Sequence, residues 1–83
     1  MKHIFYILQS LKSNRYYLGS TEDIEKRLAK HNKGEVKSTK AYRPWKVVYV
    51  ESFATRQEAR RRELQIKSWK KREAIERLIG PIV

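Results

Sequence analysis

Apolar residues run through this chain in two rhythms. From His3 to Ser10, "HIFYILQS", they are nearly continuous. In an extended chain Phe5 and Ile7 point to one side, and Ile4, Tyr6 and Leu8 to the other. Apolar residues on both sides predict a strand covered on both faces. "LKSN" follows as a turn, with Ser13 and Asn14 as turn formers. "RYYLGS" is then a second strand, and the two make a hairpin. With Leu11 to Asn14 as the loop, Ser10 faces Arg15, Leu8 faces Tyr17 and Tyr6 faces Gly19. Tyr6 and Tyr17 then share a sheet face as diagonal neighbours, about 7–8 Å apart.

The period next becomes helical. Ile24, Leu28 and His31 recur at helix spacing. Ser20 or Thr21 can cap this helix, and Glu22, Asp23 and Glu25 suit its positive N-terminal end. Lys30 and Lys33 suit the other end, and Gly34 is the stop. "GEVKSTKAYRP" is a loop closed by Pro44. "WKVVYVESF" returns to a strand, with Trp45, Val47, Tyr49 and Phe53 expected on one face. Thr55 and Glu58 form a capping box that opens a second helix. The helical pattern continues through Ala74, Ile75, Leu78 and Ile79 to Gly80-Pro81, with a break near Ser68 to Lys71. The order is ββαβαα. The expected fold class is α/β: a small single domain over residues 1–83, with a mostly antiparallel three-stranded sheet flanked by helices.

Composition narrows the function. The chain has 83 residues, 20 Lys and Arg against 9 acids, and a formal net charge of +11. Such a balance is a polyanion-binding signature, with solubility as the alternative. The basic residues are not laid out as one amphipathic helix with bulky apolar anchors, which favours nucleic acid over a membrane surface. There is no cysteine, hence no disulfide and no thiolate metal site. That fits a cytoplasmic protein. Lys12 and Arg15 interrupt the N-terminal apolar run, which is too short for a signal sequence. No stretch is long enough to span a bilayer.

Several residues can carry chemistry, and each has a plainer reading. Gly19 has no side chain to place opposite Tyr6, which leaves a pocket beside a phenol. The alternative is two ordinary core tyrosines. Arg27 and His31 are four residues apart, so they share a helix face with Ile24 and Leu28. An arginine fork binds phosphate, and an imidazole can hold or deprotonate a hydroxyl. Alternatively, Arg27 snorkels along the core and His31 caps the helix. Glu63 shares a face with Ala59 and Ile66, so its carboxylate points to the apolar side. The alternative is an ion pair with a neighbouring arginine.

These residues match a known pattern. The first motif stands as "IFY" (Ile4-Phe5-Tyr6) and the second as "YLG" (Tyr17-Leu18-Gly19). With Arg27, His31 and Glu63 following in order, the chain resembles the GIY-YIG nuclease superfamily. It looks most like the small, single-domain bacterial members. "HNKG", "RPW", "VVYVESF" and "RRELQIKSW" fit the same pattern, and the likeness covers nearly the whole chain. Ile4 stands where the family has glycine. No Asn follows Glu63 to supply the late polar residue that many family enzymes carry.

The resemblance implies a metal-dependent endonuclease acting on DNA, rather than RNA, in repair or recombination. Tyr6 and Tyr17 would flank the scissile phosphate, and one of them would help deprotonate or position the attacking water. Arg27 would bind the phosphate. His31 would hydrogen-bond and tune a tyrosine. Glu63 would hold one divalent cation, Mg²⁺ or Mn²⁺, and Gly19 would give the phosphate room. The cation, the arginine and the basic surroundings would favour the phenolate. A basic face with Arg56, Arg60, Lys67, Lys70 and Lys71 would add sequence-independent affinity. Lys37, Lys40 and Arg43 around Tyr42 would form a clamp with an aromatic to stack on, unless that segment is a solvated loop. Two other readings stand beside the enzyme: a non-catalytic basic nucleic-acid-binding protein on the same fold, and a subunit whose basic face docks an acidic protein. The sequence is silent on oligomeric state.

Overall fold

A computed structural model describes residues 2–80. Strand β1 (His3–Ser10) is the centre of a three-stranded sheet, with β2 (Tyr16–Thr21) on one side and β3 (Trp45–Phe53) on the other. Both pairings are antiparallel. The hairpin has the expected register: Leu8 pairs with Tyr17 and Tyr6 with Gly19. Its turn is tied by a 2.8 Å bond from the Ser10 amide to the Arg15 carbonyl. The Ser10 hydroxyl accepts from the amides of Lys12 and Ser13 and donates to the Tyr42 carbonyl, so the turn is pinned to the loop before β3.

Helix α1 (Ile24–Lys33) covers one face of the sheet, where Ile24 and Leu28 pack with Tyr6, Leu8 and Trp45. Helices α2 (Arg56–Lys67) and α3 (Arg72–Ile79) cover the other, where Ile66, Trp69, Ile75 and Leu78 meet Phe5, Ile7 and Leu18. The central strand is therefore apolar on both faces because both are covered. The α2–α3 break falls in the expected place, with Lys70 in the left-handed region at φ 57°. Gly80 ends α3, and Pro81 lies outside the described residues.

Two local expectations are corrected. The cap of α1 is Asp23, whose carboxylate accepts from the Lys26 amide at 3.1 Å. Thr21 instead makes the turn before it, accepting from the Asp23 amide. An aspartate immediately before the first apolar residue of the stripe, Ile24, competes well with Ser or Thr for the cap. Second, β3 does not keep one apolar face. Ile7 pairs with Tyr49 but Leu8 with Val47, so Val48 is an extra residue. This bulge shifts the phase of the alternation by one residue. Trp45 and Val47 pack on the α1 side, whereas Tyr49 and Phe53 pack on the α2 side. Simple alternation could not show this, because a bulge is set by the partner strand.

Candidate active site

The two helical layers converge at the free edge of β2. There they leave a cleft of about 580 Å³. Its walls are Tyr17 and Gly19 from β2, Lys26, Arg27 and Lys30 from α1, and Arg56, Arg60 and Glu63 from α2. Tyr6 reaches in from β1. Arg27 takes part in no ion pair found among the described residues, so its guanidinium is available to an anion.

Gly19 explains how Tyr6 gets there. A Cβ on Gly19 would lie 2.6 Å from the Tyr6 hydroxyl and 2.7 Å from its ring carbon Cζ. The missing side chain is thus filled by the Tyr6 phenol, which crosses β2 toward the cleft. The room that the sequence suggested for phosphate is occupied by a tyrosine. Tyr17 lies beside Tyr6 on the same face, with ring centroids 6.4 Å apart.

His31 stands behind this pair. It is wholly buried, not an exposed helix cap. Its Nε2 is 3.2 Å from the Tyr6 hydroxyl and its Nδ1 is 2.8 Å from Thr39 Oγ1. Its ring also meets the Tyr17 ring edge-on, 4.8 Å between centroids. Thr39 is buried too, and its carbonyl accepts from the Trp45 indole N–H. Asn32 holds the Trp45 backbone from α1 with both ends of its amide. Sequence reasoning missed Thr39. The only trace of it is a hydroxyl in a basic loop.

Burial disfavours the charged forms of both Tyr6 and His31. It pushes the Tyr6 phenol well above the usual tyrosine range; the neighbouring Tyr17 and Glu63 add to the rise, and Arg27 opposes it. Burial, with Arg27 adding, holds the His31 imidazole below its ordinary value. The Tyr6–His31 contact is therefore a neutral bond. Without a bound cation, desolvation outweighs the opposing pull of Arg27 on the Tyr6 phenol.

Glu63 lies where expected, toward the apolar side, with its side chain 16% exposed. It is paired, but with Lys67 at 2.7 Å rather than with an arginine. Lys67 therefore borders the site as a counter-ion. Three carboxylates line the cleft: Glu22 lies 3.8 Å from His3 Nδ1, Asp23 is occupied as the α1 cap, and Glu63 is paired with Lys67. No group of three or more His, Cys, Asp or Glu side chains gathers among the described residues, so a cation held there by Glu63 would have to keep most of its waters.

The other basic residues fall in separate places. Arg56 and Arg60 line the cleft. Lys70 and Lys71 are exposed in the α2–α3 turn. Lys37, Lys40 and Arg43 line a second depression with Lys12, beyond the hairpin turn. One face of the Tyr42 ring is taken by the Arg15 guanidinium, 4.4 Å from its centroid.

Comparison with known proteins places the sequence and the fold. The model of the GIY-YIG catalytic domain matches residues 2–76. A UPF0213 protein of Staphylococcus saprophyticus is 43% identical over 75 residues, covering 89% of this chain and 90% of the relative. A UPF0213 protein of Bacillus pumilus is 40% identical, covering 86% of this chain and 72% of the relative. The solution NMR structure of the UPF0213 protein BH0048 from Bacillus halodurans superimposes with a TM-score of 0.60 at 34% identity, covering 98% of this chain and 89% of that one. In sequence over nearly its whole length, and in the order and placement of its elements, the chain belongs to the GIY-YIG catalytic domain family, beside the UPF0213 proteins.

Proposed function

We propose that this protein is a divalent-metal-dependent endonuclease that hydrolyses phosphodiester bonds in DNA. The observation that carries the reading is the convergence of Tyr6, Tyr17, Arg27 and Glu63 on one cationic cleft, with His31 directly behind Tyr6. Arg27 binds the scissile phosphate and stabilises the charge that builds on its oxygens. Tyr6 and Tyr17 orient the attacking water from the β1–β2 face. His31 holds the Tyr6 hydroxyl at a fixed angle. Glu63 would hold the metal ion, whose chemistry when bound is to polarise the phosphate and steady the leaving oxygen. Lys26, Lys30, Arg56 and Arg60 draw the DNA backbone into the cleft. Lys67, Lys70 and Lys71, and separately Lys37, Lys40 and Arg43, extend the contact along the duplex. A cytoplasmic role in repair or recombination suits such an activity.

One observation favours the non-catalytic binding reading. The Lys67 ammonium already neutralises Glu63. A panel of labelled duplex, nicked, flapped and branched DNAs, with Mg²⁺, Mn²⁺ or EDTA, separates the two. The enzyme cuts at least one substrate with metal and none with EDTA. Glu63→Ala abolishes cutting while DNA binding stays equal or strengthens, and the fold survives because alanine favours the helix. Full activity in folded Glu63→Ala removes the metal assignment. Binding without cleavage on every substrate leaves the binder.

A further inference from the structure

Thr39 makes three contacts that bear on the site although it lies outside the cleft. Its Oγ1 is 2.8 Å from His31 Nδ1 and 3.3 Å from the Val36 carbonyl oxygen. Its backbone carbonyl is fastened by the Trp45 indole at 3.0 Å. A carbonyl oxygen cannot donate, so both Thr39 hydroxyl contacts are hydrogen bonds together only when its single proton goes to Val36, whose carbonyl also accepts from the amides of Thr39 and Lys40. Its oxygen is then an acceptor toward His31, and Nδ1 must carry the hydrogen. In a neutral imidazole the other nitrogen is bare. Nε2 therefore accepts, and the Tyr6 hydroxyl donates to it across 3.2 Å.

We infer that Thr39 is a positioning residue that holds His31 in its Nδ1–H tautomer and so sets the polarity of the Tyr6 hydroxyl in the cleft. A phenol that donates to His31 turns its lone pairs toward the cleft, where it can accept a hydrogen bond from the attacking water. In the opposite tautomer His31 donates to Tyr6. The phenolic proton then points into the cleft and presents a donor where the water needs an acceptor. The mechanical frame suits this task. Thr39 and His31 are both buried, and no buried side-chain polar atom among the described residues lacks a partner, so turning the His31 ring would break its contacts with both Thr39 and Tyr6. The catalytic consequence rests on the endonuclease reading, whereas the tautomer does not.

The test therefore reads the tautomer directly. The chain has 2 histidines, so ¹⁵N side-chain NMR resolves both rings. The wild-type protein should show His31 protonated at Nδ1 with Nε2 bare. Thr39→Ser keeps the hydroxyl and should keep this pattern. Thr39→Val removes the acceptor, and His31 should shift toward the Nε2–H form. In cleavage assays kcat should fall about tenfold to a hundredfold in Thr39→Val with KM little changed, and Thr39→Ser should restore it. Nε2–H in the wild-type ring overturns the assignment and needs no mutant to fold. An unchanged tautomer in Thr39→Val overturns it equally. The expected tautomers in a protein that cuts no DNA uphold the Thr39 assignment and sink the endonuclease reading instead.

Discussion

Gly19 and Tyr6 form one unit, because the ring of one occupies the side-chain space of the other. Gly19→Ala places a carbon 2.6 Å from the Tyr6 hydroxyl, and the buried ring must swing away from His31. We expect a loss of about 1–3 kcal/mol in urea unfolding, the usual cost of overpacking a filled core. Cleavage should fall far more than DNA affinity, since the cationic walls are untouched. An active, fully stable Gly19→Ala would show that the phenol position is not needed. His31 supplies a second prediction at this scale. Its imidazole is held below the ordinary value by burial and then by Arg27, so the unfolded chain binds a proton that the folded chain refuses. Stability therefore rises with pH in this window. The contribution is complete above the unfolded histidine pKa of about 6.5 and is lost as pH falls through it toward the folded value. Thermal midpoints between about pH 7.5 and pH 5 should decline, and His31→Gln should flatten the decline. An unchanged slope would place the titration elsewhere.

Among the elements, α2 matters most, because it brings Glu63, Arg56 and Arg60 to an edge built by another part of the chain. Its start is secured by Thr55, whose hydroxyl accepts from the Glu58 amide and donates to the Glu58 carboxylate. Its position across the sheet is secured by Arg62, which forks onto Glu51 of β3 at 2.8 and 3.2 Å. The Tyr49 hydroxyl donates to the same carboxylate. Burial alone would raise the Glu51 carboxyl, yet the bonds from Arg62 and Tyr49 take it below the ordinary value. Both side chains of the pair are about a quarter exposed, so solvent screens part of the gain. Arg62→Ala should cost about 1–2 kcal/mol. A double-mutant cycle with Glu51→Ala should return a coupling near 1 kcal/mol by urea unfolding. Zero coupling would reduce the fork to a surface contact. The bulge at Val48 makes this fork possible, because it turns Tyr49 and Glu51 toward α2. That shift was not legible in "WKVVYVESF", where alternation alone predicts a single apolar face. The hairpin register was legible, because turn length and period 2 leave one pairing that keeps both faces apolar.

For the molecule as a whole, charge governs encounter and geometry governs chemistry. With a net charge of +11, binding should draw much of its strength from releasing counterions. The logarithm of affinity should fall linearly with the logarithm of salt, with a slope of about −0.9 for each phosphate neutralised. Arg60→Ala should lower that slope by about one, as should Lys40→Ala if the depression beyond the hairpin lies on the DNA path. Titrations of each variant across salt check this. A flat wild-type plot would point to a protein partner, and an unchanged slope in Lys40→Ala would confine DNA to the cleft. No helix of the described residues is long and apolar enough to cross a membrane.

The sequence by itself determined the order of elements, the hairpin pairing and the helix limits near Gly34 and Ser68. All of these depend on local spacing, turn chemistry and the alternation of apolar residues. Their places on apolar faces made Arg27, His31 and Glu63 candidates, and the resemblance to the GIY-YIG pattern joined them to Tyr6 and Tyr17 as one expected site. Only the tertiary structure decided what occupies the space at Gly19, which lysine partners Glu63 and that Thr39 sits behind His31. Those facts depend on residues far apart in the chain, such as Tyr6 with His31, 25 positions away. The tertiary structure also decided that Tyr6 is harder to ionise than a free tyrosine. Desolvation is a property of the packed core, and no reading of neighbours along the chain can supply it.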